Sequence, residues 1–319
     1  MPDKQRTQRR FGIGEWYGKS FVTLTPEERR HFAEIQQSEE VEIPSCPFLS
    51  TEEQRRPCWK TGGVCSLRSY EQTGNVVQIN SAGSTPRVTC PSRFEEGGLI
   101  YRWIGETLLG NANAVAVGQV PFLERVPTMG EDDEGKTRKG EGVGRIDNVL
   151  IIPNTQPLKW CAIEIQAVYF SGDKMANDFR AILQHQGDSI PFPVGLRRPD
   201  YRSSGPKRLM PQLQIKVPTL RRWGKKMAVV VDEDFLRNMG RMRTVEDVSL
   251  ADIAWFTVRF EEHGDTIRLA QGGIYYTELE SAVSGLIAAK PVSQKIFEER
   301  IVARLGQLNA EPGEVTTNK

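Results

Sequence analysis

The chain has 319 residues, 38% of them hydrophobic and 26% charged, with a formal net charge of +1. This is an ordinary globular composition, long enough to bury one large core or a large core with a smaller companion, and too close to neutral for overall charge to reveal a partner. No apolar run reaches membrane-spanning length, and the basic N-terminus, MPDKQRTQRRFGIGEW, lacks the apolar core of an export signal, which excludes a membrane span and points to the cytoplasm.

Thr25-Pro26-Glu27-Glu28 is a capping box with proline at the first helical position, so a helix is expected to about Gln37, burying Phe32 and Ile35. Residues 40–93 are rich in turns and carry four of the five cysteines: Cys46, Cys58, Cys65 and Cys90. Disulfides are disfavoured in a cytoplasmic chain, and four thiolates make a tetrahedral metal site. The spacing contains no CxxC pair, so buried free cysteines are the competing reading. Turns at Cys46-Pro47, at Gly62-Gly63 and at Cys90-Pro91 let distant side chains converge. His31, His185 and His263 all lie elsewhere, so a fourth ligand has to be cysteine. Cys161 reads as a small core residue.

Phe94 to Leu109 reads as a helix with Leu99, Trp103 and Leu108 on its apolar side, ended by Gly110. Ala114 to Glu124 reads as a strand leading into a polar loop, TMGEDDEGKTRKGEG. The stretch from Gly144 to Phe170 reads as two hydrophobic strands joined by a turn. The first carries Asp147. The second carries Glu164 and Gln166, which share a face and look outward while Ile163 and Ile165 turn inward. Pairing of the strands brings Asp147 towards Glu164. Two carboxylates beside a neutral polar group suit a hard divalent cation such as Mg²⁺, and such a site suits phosphodiester hydrolysis. A half-exposed hairpin with polar outward residues is the plainer alternative. Asp173 to about Gln184 is an amphipathic helix with Met175, Phe179, Ile182 and Leu183 on one side, Asp173 as its N-cap and Lys174 on the surface. His185 is read as structural or solvated.

From Arg197 to Lys226 there are ten basic residues against one acid, Asp200, a local net charge of +9. Pro199, Gly205, Pro206, Pro211 and Pro218 interrupt it, so loops and short elements are expected. A dense block of this kind is either a solvated surface or a polyanion site. For DNA the candidates are Arg197, Arg198, Arg202, Lys207, Arg208, Arg221, Arg222 and Lys225. Tyr201 and Trp223 are placed to stack or to pack. Met227 to Val231 is a buried strand and Asp232–Met239 a short helix. Ile253 to Phe260 and Thr266 to Leu269 are strands around His263-Gly264-Asp265, and Thr277–Ala289 and Pro291 to about Leu308 are helices. Residues 310–319 are expected to be a disordered tail. Strands mixed with helices in this order point to an α/β sheet covered by helices.

Asp147 with Glu164-x-Gln166 on paired strands, followed by a helix, resembles the PD-(D/E)xK nuclease fold in its ExQ variant. CPFL at 46–49, Cys58-Trp59-Lys60, GGVC at 62–65 and CPSR at 90–93 resemble the N-terminal metal segment of NotI-type restriction endonucleases. AIEIQAVYFSGDKM at 162–175 resembles that family's catalytic strand, and AWFTVRFE, TIRL and TELESAVSGL resemble its C-terminal strands and helix. The resemblance runs from about Cys46 to Leu286.

The resemblance implies a mixed central sheet flanked by helices, as in restriction endonucleases, with a cysteine-rich metal region at 1–93 and a nuclease domain at 94–309 that includes the basic block 197–226. It implies that Asp147 and Glu164 ligate Mg²⁺, that Gln166 takes the place of the motif's lysine, and that an upstream carboxylate completes the site. Glu124 is the first choice for that carboxylate, then Glu106, then Glu131. It implies that Cys46, Cys58, Cys65 and Cys90 hold structural iron, where the chemistry of four thiolates alone favours zinc. The implied activity is that of a type II restriction endonuclease cutting double-stranded DNA at a GC-rich palindrome. A palindromic target implies a homodimer, with a separate methyltransferase protecting host DNA. Two other classes share parts of this pattern: a metal-stabilised DNA-binding protein without catalysis, and a structure-specific repair nuclease.

Overall fold

A computed structural model describes residues 7–37, 42–79, 85–124, 144–264, 266–288 and 292–308. The polar loop with Glu131, Asp265 of the predicted turn and the tail 310–319 lie outside the described residues.

Among the described residues, two large sheets and a two-stranded ribbon organise the fold. The N-terminal one is built from β1 (Gln8–Trp16), β2 (Lys19–Ser20), β3 (Val64–Thr73), β4 (Val76–Ile79) and β5 (Arg87–Val88), in the order β2-β1-β3-β4 with β5 also on β3. The segment expected to be mainly turns therefore contains three strands, and Cys65 lies on one of them. The reason is burial: Val64 to Arg68 is covered on both faces, so no apolar–polar alternation marks the strand. Helix α1 (Pro26–Ile35) starts where the capping box predicts, with both reciprocal bonds between Thr25 and Glu28 formed. Its Phe32 and Ile35 are buried beside Trp16 and Phe21.

The expected helix at 94–109 is a broken one. A 3-10 stretch, Pro91–Gly98, is interrupted at Gly97 (φ 57°), then come α2 (Leu99–Ile104) and a π turn, Gly105–Leu109. Two adjacent glycines in left-handed conformation cause the break. Ile100 and Ile104 take the fully buried positions, while Trp103 and Leu108 pack at the margin. Gly110 ends the segment at φ 67°, as expected.

The larger sheet has seven strands: β6 (Val115–Leu123), β7 (Gly144–Ile152), β8 (Lys159–Ile165), β11 (Met227–Asp232), β12 (Thr244–Val245), β13 (Ile253–His263) and β14 (Thr266–Thr277). Between β8 and β11 the chain forms a small ribbon of β9 (Phe170–Gly172) and β10 (Arg197–Pro199), on either side of α3 (Ala176–Gln184). The sheet order is β12-β14-β13-β11-β8-β7-β6. β8, β11 and β13 are parallel and the outer pairings antiparallel, so the sheet is mixed. Helix α3 starts later than expected. Asp173 does not cap it but accepts the Leu196 amide (2.8 Å).

The basic block departs most from expectation. It folds as a nearly continuous helical rod: α4 (Tyr201–Ser204), a π turn (Gly205–Leu209) and α5 (Met210–Arg222). Pro206 and Pro211 are the second residues of the π turn and of α5, at the joints of the rod, and Pro218 lies inside α5. Leu213, Val217 and Leu220 of α5 pack on Ala162, Val229 and Trp255, together with Ala282 and Leu286 of the later helix Leu279–Ile287. The opposite face of the sheet, with Ile163, Val230 and Phe256, meets Ile100 and Ile104. The central strands are thus covered on both sides, which is why MAVVV is uniformly apolar. No described helix is long and apolar enough to cross a membrane.

The two sheets are tied together. Phe179 of α3 stacks on Trp16 with ring centroids 5.2 Å apart. Arg93, fully buried, pairs with Glu15 (2.9 Å) and Glu96 (2.7 Å) and donates to the Ile267 carbonyl (2.7 Å). The division expected at residue 93 therefore falls inside a buried ionic link.

Candidate active site

β7 and β8 are antiparallel neighbours, with Asn148 opposite Ile163 and Ile152 opposite Lys159. At the end of this ladder the Asp147 carboxylate accepts the Ile165 amide (3.0 Å), and the Asp147 amide lies 3.5 Å from Glu164 Oε1. The structure thus brings Asp147 and Glu164 together. It corrects the outward placement of Glu164, which is 3% exposed because α5 covers that face of the sheet. Gln166 lies one residue past β8 and is half-buried. Its backbone amide bonds the Val230 carbonyl (3.0 Å), and its side-chain amide donates to the Ala167 carbonyl (2.6 Å).

A residue absent from the expected set completes this group. Lys216 of α5 is 2% exposed, and its Nζ stands 2.6 Å from Glu164 Oε1. Burial, and then the charge of Asp147, push the Glu164 carboxyl up to about 7 against the opposing pull of Lys216. A signal for Lys216 was present: Leu213, Lys216, Val217 and Leu220 are spaced i, i+3, i+4, i+7, so the lysine sits on the apolar stripe of a helix.

These groups line a cleft of about 1380 Å³, together with Lys207 and Arg208. That exceeds the roughly 300–1,000 Å³ of a small-molecule pocket and suits a polymer. Glu124, at the exposed end of β6, is not among the residues lining it, and Glu106 is exposed on the π turn. Glu95 does not line the cleft either, but it lies within electrostatic reach of Asp147. Burial raises the Glu95 carboxyl, and Asp147's charge adds to this, while the Tyr101 hydroxyl donates to it (2.7 Å). Glu95 sits in the 3-10 stretch, where no periodicity singled it out.

The basic residues divide. Arg197, Lys207 and Arg208 line the cleft. Arg197 is buried against Asp178, and Arg208 lies over the Tyr169 ring at 4.4 Å. Arg198 and Arg202 are exposed. Arg221 is paired with Asp252, Arg222 bonds Thr219, and Lys225 bonds the Leu158 carbonyl and lies over Trp160. Tyr201 packs edge-on against Phe235, and Trp223 against Phe122 and Trp160. His185 bonds Ser189 (2.9 Å).

The four N-terminal cysteines are all free thiols, three of them buried. Cys46 and Cys58 sit on a short antiparallel pairing, through Cys46 N to Arg56 O (2.8 Å) and Cys58 N to Pro44 O (3.0 Å). Cys65 and Cys90 meet where the Cys90 amide donates to the Cys65 carbonyl (3.2 Å). The pairs are close enough to interact: after burial, ionisation of Cys58 is opposed by Cys46 and Cys90, and that of Cys65 by Glu15, Cys90 and Cys58. Among the described residues, no three His, Cys, Asp or Glu side chains form a group that could hold a metal ion as they stand. Thiols are the donor type that thiophilic ions take, and these four come from one region of the N-terminal part. Cys161 is a core residue, 1% exposed.

No curated protein matches the chain. The family described as Restriction endonuclease NotI matches residues 29–271, a span that includes the four cysteines, Asp147, Glu164, Gln166 and Lys216. With a mixed sheet flanked by helices, a carboxylate pair in a cleft and a family match over most of its length, the chain belongs to the NotI restriction endonuclease family and is a type II restriction endonuclease, a site-specific hydrolase acting on double-stranded DNA.

Proposed function

We propose that this enzyme cuts DNA with Mg²⁺ held by Asp147 and Glu164. The observation that carries the reading is the convergence of these two carboxylates in a polymer-sized cleft. When bound, the cation supplies charge neutralisation at the phosphate and activates water. The Ile165 amide fixes the Asp147 carboxylate, keeping it aimed at the cleft. Gln166 orients the attacking water or donates its NH₂ to a phosphate oxygen; as an amide it neither takes up a proton in the working pH range nor brings a charge. Lys207 and Arg208 bind the DNA backbone. For the third carboxylate the candidates are Glu124, which follows the strand paired with the Asp147 strand, and Glu95, which feels the charge of Asp147.

Cys46, Cys58, Cys65 and Cys90 hold a structural iron or zinc ion that fastens the N-terminal segment. The target is a GC-rich palindrome cut by a homodimer. A separate methyltransferase protects host DNA, and the enzyme works in the cytoplasm. The division into an N-terminal metal region and a nuclease domain is functional, since Arg93 joins the two in one packed body.

The test is digestion of plasmid and phage DNA with Mg²⁺ or with EDTA. Discrete bands that vanish with EDTA are expected. Asp147→Ala and Glu164→Ala should abolish cutting while sparing binding, and Gln166→Lys should still cut. A Glu164→Ala enzyme cutting at the normal rate would sink the assignment.

A further inference from the structure

We infer that Lys216, reaching from α5, supplies the positive charge at the scissile phosphate that Gln166, at the motif's lysine position, lacks. The inference rests on the active-site reading above and adds a catalytic residue to it. Three observations carry it. First, Lys216 is buried on the apolar stripe of α5, yet it is among the residues lining the cleft and its Nζ stands 2.6 Å from Glu164 Oε1. A buried ammonium is expensive to desolvate, and a matched apolar pair is generally as stable or more so, so packing gives no reason for a lysine here. Second, Gln166 is tethered by the Ala167 carbonyl and is neutral in any orientation. Third, three of the other cleft cations are engaged elsewhere, Arg197 with Asp178, Lys60 with the Thr89 carbonyl (2.9 Å) and Arg208 over Tyr169, while Arg145, Lys174 and Lys207 line the cleft without an ion pair to Asp147 or Glu164 among the described residues. Among the described residues, Lys216 is the lysine bonded directly to a carboxylate of the site.

The physical role follows from position. In the DNA-free enzyme the ammonium balances Glu164. Asp147 and Glu164 would hold the cation, and an ammonium bonded to Glu164 would add positive charge beside it, where negative charge grows on the phosphate during in-line attack. No proton transfer is assigned to it.

The test compares wild type, Lys216→Met, Lys216→Arg and the double variant Gln166→Lys/Lys216→Met. Single-turnover cleavage is measured on a DNA that the wild type cuts into discrete bands, and affinity for the same DNA is measured with Ca²⁺ in place of Mg²⁺. Lys216→Met is expected to cut at least 100-fold more slowly with affinity within threefold of wild type. Lys216→Arg should keep more activity than Lys216→Met, and the double variant should regain at least tenfold. The proposal is overturned if Lys216→Met cuts within fivefold of wild type, or if the double variant binds DNA but cuts no faster than Lys216→Met. Loss of DNA binding in Lys216→Met and the double variant alike would make Lys216 a structural residue and also overturn it. If wild type itself cuts no DNA with Mg²⁺, or Asp147→Ala cuts normally, the active-site reading fails instead.

Discussion

Asp232 lies at the end of β11, beside the strand that carries Glu164, and is 4% exposed. Its Oδ1 caps the next helix by accepting the Phe235 amide (2.6 Å), while Oδ2 is buried without a hydrogen-bond partner. Burial raises its carboxyl from 3.8 to about 6, in spite of the cap and of nearby Arg87. A carboxyl raised on folding favours the native state when protonated. Its contribution is therefore fully present below about pH 4 and is lost as pH rises through about 6. A rise from 3.8 to about 6 corresponds to roughly 3 kcal/mol lost by neutral pH, an upper figure for a single group. Asp232→Asn keeps the capping oxygen and removes the charge. Thermal unfolding at pH 7.5 should show the variant more stable by about 1–3 kcal/mol, several degrees in Tm. Near pH 4 the two proteins should melt together, and DNA cutting should be unchanged. A variant that is less stable at pH 7.5, or a difference that does not grow with pH, would refute the reasoning.

Three further outcomes are expected. Gly63 sits at φ 65°, and an added Cβ would lie 2.3 Å from the Tyr17 ring, so Gly63→Ala should cost about 2 kcal/mol or more and speed thiol labelling at Cys65; equal melting and labelling would show that the turn is not constrained. Leu213→Ala should cost about 2–5 kcal/mol, because Leu213 is fully buried between α5 and the sheet; urea unfolding measures it. Purified protein should carry close to one equivalent of iron or zinc, lost together with thermal stability on strong chelation, and less than about half an equivalent of any transition metal would count against the four-cysteine site.

The sequence by itself determined whatever rests on local chemistry and periodicity. The capping box at Thr25 placed α1, the runs around Asp147 and Glu164 placed two paired strands, and MAVVV marked a buried one. The cysteines and the ExQ spacing pointed to the family because both are short motifs of fixed residue type. Tertiary structure alone decided what covers what. β3 was hidden because both faces of its first half are buried, and the prolines of the basic block, read as breaks, are carried within a nearly continuous helical rod with a π turn at Gly205–Leu209. Glu164 looked solvent-facing until α5 lay over it, and Lys216 reaches Glu164 from a segment 52 residues away in sequence. Periodicity reports which face of an element is apolar. It does not report which element will pack there, and in this enzyme that packing carries Lys216 to the carboxylates.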